Sequence, residues 1–212
     1  FLAEGHPPDV VGYKALARAT SDIAAMGAQP ELFLLSLTIP PNRTGRWLDE
    51  MLSGMARAAR SFGLRLAGGD TSQSSKKNPK IAVNITVMGL AGRGRVLRRS
   101  GARPGDAIFV SGALGAAQLG LELILRGMHR RSSWKHLLAQ QFYPVPALEL
   151  GQWLVRRGLA SAALDISDGL SSDLHRLCKA SGVGARIHAD KIPCVVVPGK
   201  LRSLGLDPLT MA

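Results

Sequence analysis

Two short segments carry the residues best suited to chemistry. Leu164-Asp165-Ile166-Ser167-Asp168-Gly169-Leu170 places two carboxylates and a hydroxyl at the end of an apolar run. Gly68-Gly69-Asp70-Thr71 does the same with one carboxylate, one hydroxyl and two glycines. Hard divalent cations such as Mg²⁺ take oxygen ligands, usually one or two carboxylates together with substrate phosphate oxygens. Two such segments in one chain point to metal–nucleotide chemistry. In each, the apolar lead-in reads as a strand and the glycines as a turn at its end, where phosphate can approach closely. The 165–168 segment is placed between a strand and a helix, where open α/β sheets bind ligands and where a helix N-terminus supplies N–H groups to anions. Capping alone would account for one polar residue there, not three.

The elements that must position these residues follow from periodicity. Residues 9–28 carry apolar positions at helical spacing with Gly27 as the stop, and residues 32–39 are β-compatible. Thr44 is a candidate cap for a helix from Trp47 to Phe62, ended by Gly63. Residues 64–67 read as a short strand running into the glycines, 72–79 as a polar turn, and 81–90 as an alternating strand. That order is α-β-α-β-β, helices layered on a sheet. The Gly- and Arg-rich stretch 92–103 is the expected domain boundary. Beyond it, strands are predicted at 107–110, 162–166 and 184–189, and helices at 114–125, 134–141, 147–157 and 169–180. The expectation is an α/β (α+β) chain with an N-terminal domain over residues 1–97 and a C-terminal α/β domain over 98–212.

These motifs occur in a telling order: Thr20-Ser21-Asp22-Ile23-Ala24-Ala25-Met26-Gly27-Ala28-Gln29-Pro30, Gly68-Gly69-Asp70-Thr71, Arg99-Ser100-Gly101-Ala102-Arg103-Pro104-Gly105-Asp106 and Asp165-Ile166-Ser167-Asp168-Gly169-Leu170. The series resembles the thiamine-monophosphate kinase family, in the superfamily that also holds aminoimidazole ribonucleotide synthetase and selenophosphate synthetase. The resemblance implies a two-domain kinase that phosphorylates thiamine phosphate with ATP. It implies Mg²⁺ on Asp22, Asp70, Asp165 and Asp168, and the nucleotide on Gly69, Asp70, Arg99 and Ser167. It implies a cytoplasmic homodimer joined through its N-terminal sheets. The family usually has Asn where this chain has Ala19. Other enzymes of the superfamily, or an inactive dimerising remnant, are the alternative readings. The chain opens on Phe1 without an initiator Met and reads as a partial chain, short of the family's Asp-rich opening and its Gly-Gly-Glu-Asp-Tyr-Glu-Leu segment. No general base is assigned.

Composition narrows the partners. The 212 residues are 46% hydrophobic and 20% charged, a globular balance. The net charge of +12 is dispersed: residues 1–96 hold 12 Lys and Arg against 7 Asp and Glu, the remainder 15 against 8. With 5% aromatic residues, stacking platforms for single strands are scarce, so no nucleic-acid partner is expected. No apolar run approaches the roughly 20 residues that span a bilayer, so no membrane partner is expected either. Cys178 and Cys194 lack C-x-x-C spacing, and no P-loop is present.

Overall fold

The computed structural model describes all residues except 3–4, 76, 78 and 93–94. In chain order its main elements are α1 (Pro8–Ala25), β1 (Gln29–Ile39), α2 (Arg46–Phe62), β2 (Arg65–Gln73), β3 (Ala82–Leu90), α3 (Ala116–Leu125), α4 (Ala139–Phe142), α5 (Leu148–Arg157) and α6 (Leu170–Ser181). They form two compact units, Phe1–Val96 with Val145–Arg156, and Leu97–Pro144 with Arg157–Ala212. A single cut in the chain does not anticipate that segment 145–156 groups with the first. Part of the 72–79 turn and of the 92–103 boundary lies outside the described residues.

In the first unit, β1 is the centre of a three-stranded sheet of order β2-β1-β3, parallel to β2 and antiparallel to β3. Its alternation is that of a half-buried strand. Phe33, Leu35, Leu37 and Ile39 are buried, while Leu34 and Ser36 are exposed. The buried side meets Val11, Leu16 and Ala17 of α1 and Met51, Met55, Ala58 and Phe62 of α2. Two prolines open α1, where a missing N–H costs nothing. Gly27 (φ +66°) and Gly63 (φ +71°) take the left-handed turns that end α1 and α2. Thr44 does not cap α2: its hydroxyl donates to the Pro41 carbonyl at 2.7 Å, and Gly45 takes the cap position without a side-chain hydrogen bond. The hydroxyl is used in closing the preceding 3-10 turn.

The two helices cross at glycines. A methyl group on Gly54 would stand 1.9 Å from the Asp9 carbonyl oxygen, and one on Gly12 1.9 Å from that of Met51. Backbone cannot yield as a flexible side chain does. Gly54→Ala should therefore destabilise the fold by about 1–3 kcal/mol, the usual cost of overpacking, although alanine gains roughly 1 kcal/mol in helix propensity. The denaturant midpoint reads this directly; an unchanged or higher midpoint would contradict the close crossing. A similar contact docks α5, since a methyl on Gly151 would meet the Ala24 carbonyl at 2.0 Å. Gln152 Nε2 donates to Gln29 Oε1 at 2.8 Å beside it.

The second unit is built around Leu119, Leu123 and Ile124 of α3, with Trp134, Leu138 and Leu201. The helix expected at 134–141 is a 3-10 stretch, Ser132–Leu138, running into α4. The predicted strands at 107–110, 162–166 and 184–189 do not form; among the described residues this unit holds one isolated parallel bridge, Leu114 to Cys194. An apolar run sets strand propensity, but a strand exists only with a neighbour to share its ladder. These segments lack one, and Phe109, Ile166 and Ile187 are 88, 41 and 43% exposed. Both cysteines are free and half-buried. No helix among the described residues is long and apolar enough to cross a membrane.

Candidate functional site

The residues singled out by sequence divide between the units. Asp22, Gly69 and Asp70 lie in the first; Arg99, Asp165, Ser167 and Asp168 lie in the second.

Gly68-Gly69-Asp70-Thr71 is not a turn. All four residues belong to β2 and pair with Leu34, Leu35, Ser36 and Leu37 of β1. The register shifts at Phe33/Leu34, where Ala67 is the extra residue of a bulge. Bulges of this kind re-aim the side chains that follow. Gly69 is required by contact with its own sheet, since a methyl there would stand 1.9 Å from the Leu35 carbonyl oxygen. The shifted register sets Asp70 beside Ser36, and Ser36 pairs on its other side with Asn84 of β3. Thr38 and Ser72, one pair further on, share a hydrogen bond of 3.1 Å. Asp70, Ser36 and Asn84 are all exposed and form a polar row across three strands. Ser36 and Asn84 are additions to the sequence-based list; their alternation in β1 and β3 is the signal that would have found them. Asp22 is exposed on α1.

In the second unit, the segment before α6 is organised from within the helix. Gly169 takes the N-cap position at φ +104°, a conformation that favours glycine, and supplies no capping side chain. Asp173, in the first turn, reaches back instead. Its Oδ2 accepts the backbone N–H of Ser167 at 2.8 Å and of Asp168 at 2.9 Å. Its Oδ1 accepts Arg176 Nη1 at 2.6 Å, and the same guanidinium nitrogen donates to Asp168 Oδ2 at 2.6 Å. Those bonds, with that to Asp168 the largest cause, push the Arg176 pKa further above its ordinary value. Ser167 and Asp168 are exposed and Asp165 is half-buried. A groove of about 1050 Å³ runs along α6 from Asp168 and Gly169 past Ser172, His175 and Lys179.

Arg99 enters the same unit through its backbone. The Ser181 hydroxyl, at the C-terminal end of α6, donates to the Arg99 carbonyl at 2.7 Å and accepts the N–H groups of Gly101 and Ala102 at 3.2 Å. The Arg98 carbonyl accepts the Ala163 N–H at 3.0 Å, so this loop adjoins the start of the segment leading to Asp165. The Arg103-Pro104-Gly105-Asp106 turn is tied in by Asp106 Oδ2, which accepts from Ser161 Oγ at 2.5 Å and from Arg103 N–H at 2.9 Å. The Ser161 bond first, then the Arg103 one, holds the Asp106 carboxyl below the usual range.

The donors at both places are carboxylate and hydroxyl oxygens, the set a hard cation takes. Among the described residues no group of three or more His, Cys, Asp or Glu side chains is gathered to hold a metal ion.

Comparison with known proteins matches two consecutive family descriptions to the chain, the second of which includes segment 145–156. The description "AIR synthase related protein, N-terminal domain" matches residues 1–91, and its C-terminal counterpart matches residues 103–211. The thiamine-monophosphate kinase of Salmonella typhimurium strain LT2 is 37% identical over 195 residues, 91% of this chain and 57% of that protein. The structure of thiamine monophosphate kinase from Aquifex aeolicus superposes with a TM-score of 0.86 at 30% identity, covering 98% of this chain and 69% of that one. A structure of AaThiL complexed with AMPPCP and TMP gives 0.87 at 30% identity, covering 98% and 65%. The chain spans a little over half the length of the curated relatives it matches.

Proposed function

Because the chain belongs to the AIR synthase related family, we propose that the protein phosphorylates thiamine phosphate with ATP, giving thiamine diphosphate and ADP. One observation carries this reading: a relative that binds AMPPCP, an ATP analogue, and TMP superposes on 98% of this chain. The γ-phosphoryl of ATP moves directly onto the acceptor phosphate. Little covalent work falls to the protein in such a transfer; positioning and charge neutralisation supply most of the catalysis.

Each candidate residue has a part in that reading. Asp22 and Asp70 in the first unit and Asp165 and Asp168 in the second offer the carboxylates that would hold Mg²⁺. When bound, Mg²⁺ neutralises charge on the phosphoryl oxygens. Gly69 and Asp70 meet the nucleotide from β2, Ser167 from the loop before α6. Arg99 offers a guanidinium fork, which matches phosphate geometry. No residue is assigned as general base. The domain roles follow the same lines: residues 1–97 bind nucleotide and metal and form the dimer, and residues 98–212, whose described residues form helices and one isolated bridge, add Arg99, Asp165, Ser167 and Asp168.

The same reading has the protein act in the cytoplasm as a homodimer joined through its N-terminal sheet. The sheet face turned away from α1 and α2 supports that pairing, because Leu34, Met88 and Leu90 are 39, 42 and 64% exposed there. Turnover of thiamine phosphate to thiamine diphosphate by the protein expressed from its whole gene is the test of the function.

A further inference from the structure

We propose that Asp173 is a positioning residue that turns the Ser167 and Asp168 N–H groups inward and so fixes the side-chain oxygens of the loop before α6 toward a cation; this rests on the reading that the loop holds Mg²⁺–nucleotide. Backbone N–H groups at the entry to a helix are ready donors to phosphate. Here the N–H groups of Ser167 and Asp168, just ahead of the helix, are both taken by Asp173 Oδ2. With these N–H groups tied inward, the loop's exposed functional groups at 167 and 168 are oxygen-bearing side chains.

The carboxylate of Asp173 is suited to this task and to little else. It is 2% exposed, so substrate cannot use it, and a buried carboxylate is costly unless satisfied. Two N–H groups and one guanidinium satisfy it. Arg176 then links Asp173 to Asp168 through Oδ2 of the latter, leaving the other carboxylate oxygen of Asp168 for a cation. Ligand orientation by such supporting hydrogen bonds is general in metal sites.

The test is binding of a nonhydrolysable ATP analogue, measured by calorimetry across a Mg²⁺ titration, with a melting curve for each variant. Removing supporting partners commonly costs about 10- to 100-fold in metal affinity, so Asp173→Ala should raise the Mg²⁺ half-saturation by that range. Asp173→Asn keeps an oxygen for the two N–H groups but not the charge for Arg176, and should lie between Ala and the parent. A merely structural role would lower the melting temperature and leave the Mg²⁺ half-saturation of the folded variants unmoved, which would overturn the proposal. If Asp173→Ala does not fold, Asp173→Asn decides: a raised half-saturation supports the proposal and one equal to the parent overturns it. A parent that binds Mg²⁺–nucleotide but turns over no thiamine phosphate would sink the proposed function and leave this inference standing. A parent that binds no Mg²⁺–nucleotide would sink the inference too.

Discussion

Asp70→Asn should leave the fold intact and remove most of the reaction. Asp70 is an exposed side chain on the edge strand β2, paired with Ser36, so nothing in the core depends on its charge. The change keeps shape and one oxygen and removes only the negative charge. Its cost falls on charge neutralisation in the transition state, where losing one electrostatic element commonly costs on the order of 10²–10³ in rate. Stability should hold or rise slightly, since any repulsion from neighbouring carboxylates is relieved when no cation is bound. Turnover of thiamine phosphate at saturating ATP and Mg²⁺, beside a melting curve, measures both. Turnover within about twofold of the parent would make Asp70 a strand residue with no part in the chemistry.

Removing Mg²⁺ should have the second large effect. The loop before α6 presents carboxylate and hydroxyl oxygens, and its nearest backbone N–H groups are occupied by Asp173. ATP carries several negative charges, and the loop's carboxylates, Asp165 and the Arg176-paired Asp168, would repel it. The proposed site therefore calls for a cation between them. Calorimetry with a nonhydrolysable ATP analogue should show a saturable isotherm with Mg²⁺ and none in excess chelator. Equal binding in both conditions would mean that the nucleotide is held by Arg99 and other cationic side chains alone.

The first unit was the more legible of the two. Alternation at Phe33, Leu35, Leu37 and Ile39 and helical spacing in 9–28 and 47–62 are local patterns, and the sheet and its two helices formed accordingly. The Gly-Gly-Asp-Thr segment reads as a turn but forms a strand, because glycine has two uses. It frees φ in turns, but at Gly69 it admits the backbone of Leu35 within a strand, a non-local contact that sequence spacing does not display. The same holds for Gly12 and Gly54 at the helix crossing. In the second unit the apolar runs 107–110, 162–166 and 184–189 have strand composition without a ladder partner, so pattern alone overpredicts them.

At the candidate site, the motif aspartates are visible in the sequence, whereas the buried Asp173 that holds Ser167 and Asp168 is not. Asp173 reads in sequence as an ordinary acidic residue in the first turn of a helix. Its spacing of five from Asp168 is the only trace of the backward reach that the structure shows. Arg176 reads as one of many basic surface residues, and only the paired bonds to Asp168 and Asp173 distinguish it.

The proposed reaction is a phosphoryl transfer from ATP to the phosphate of thiamine phosphate. Protein expressed from the whole gene, supplied with ATP, Mg²⁺ and thiamine phosphate, should form thiamine diphosphate and ADP in equal amounts and form neither in chelator. ATP consumption without thiamine diphosphate, or no transfer at all by folded protein that binds the nucleotide, would contradict it.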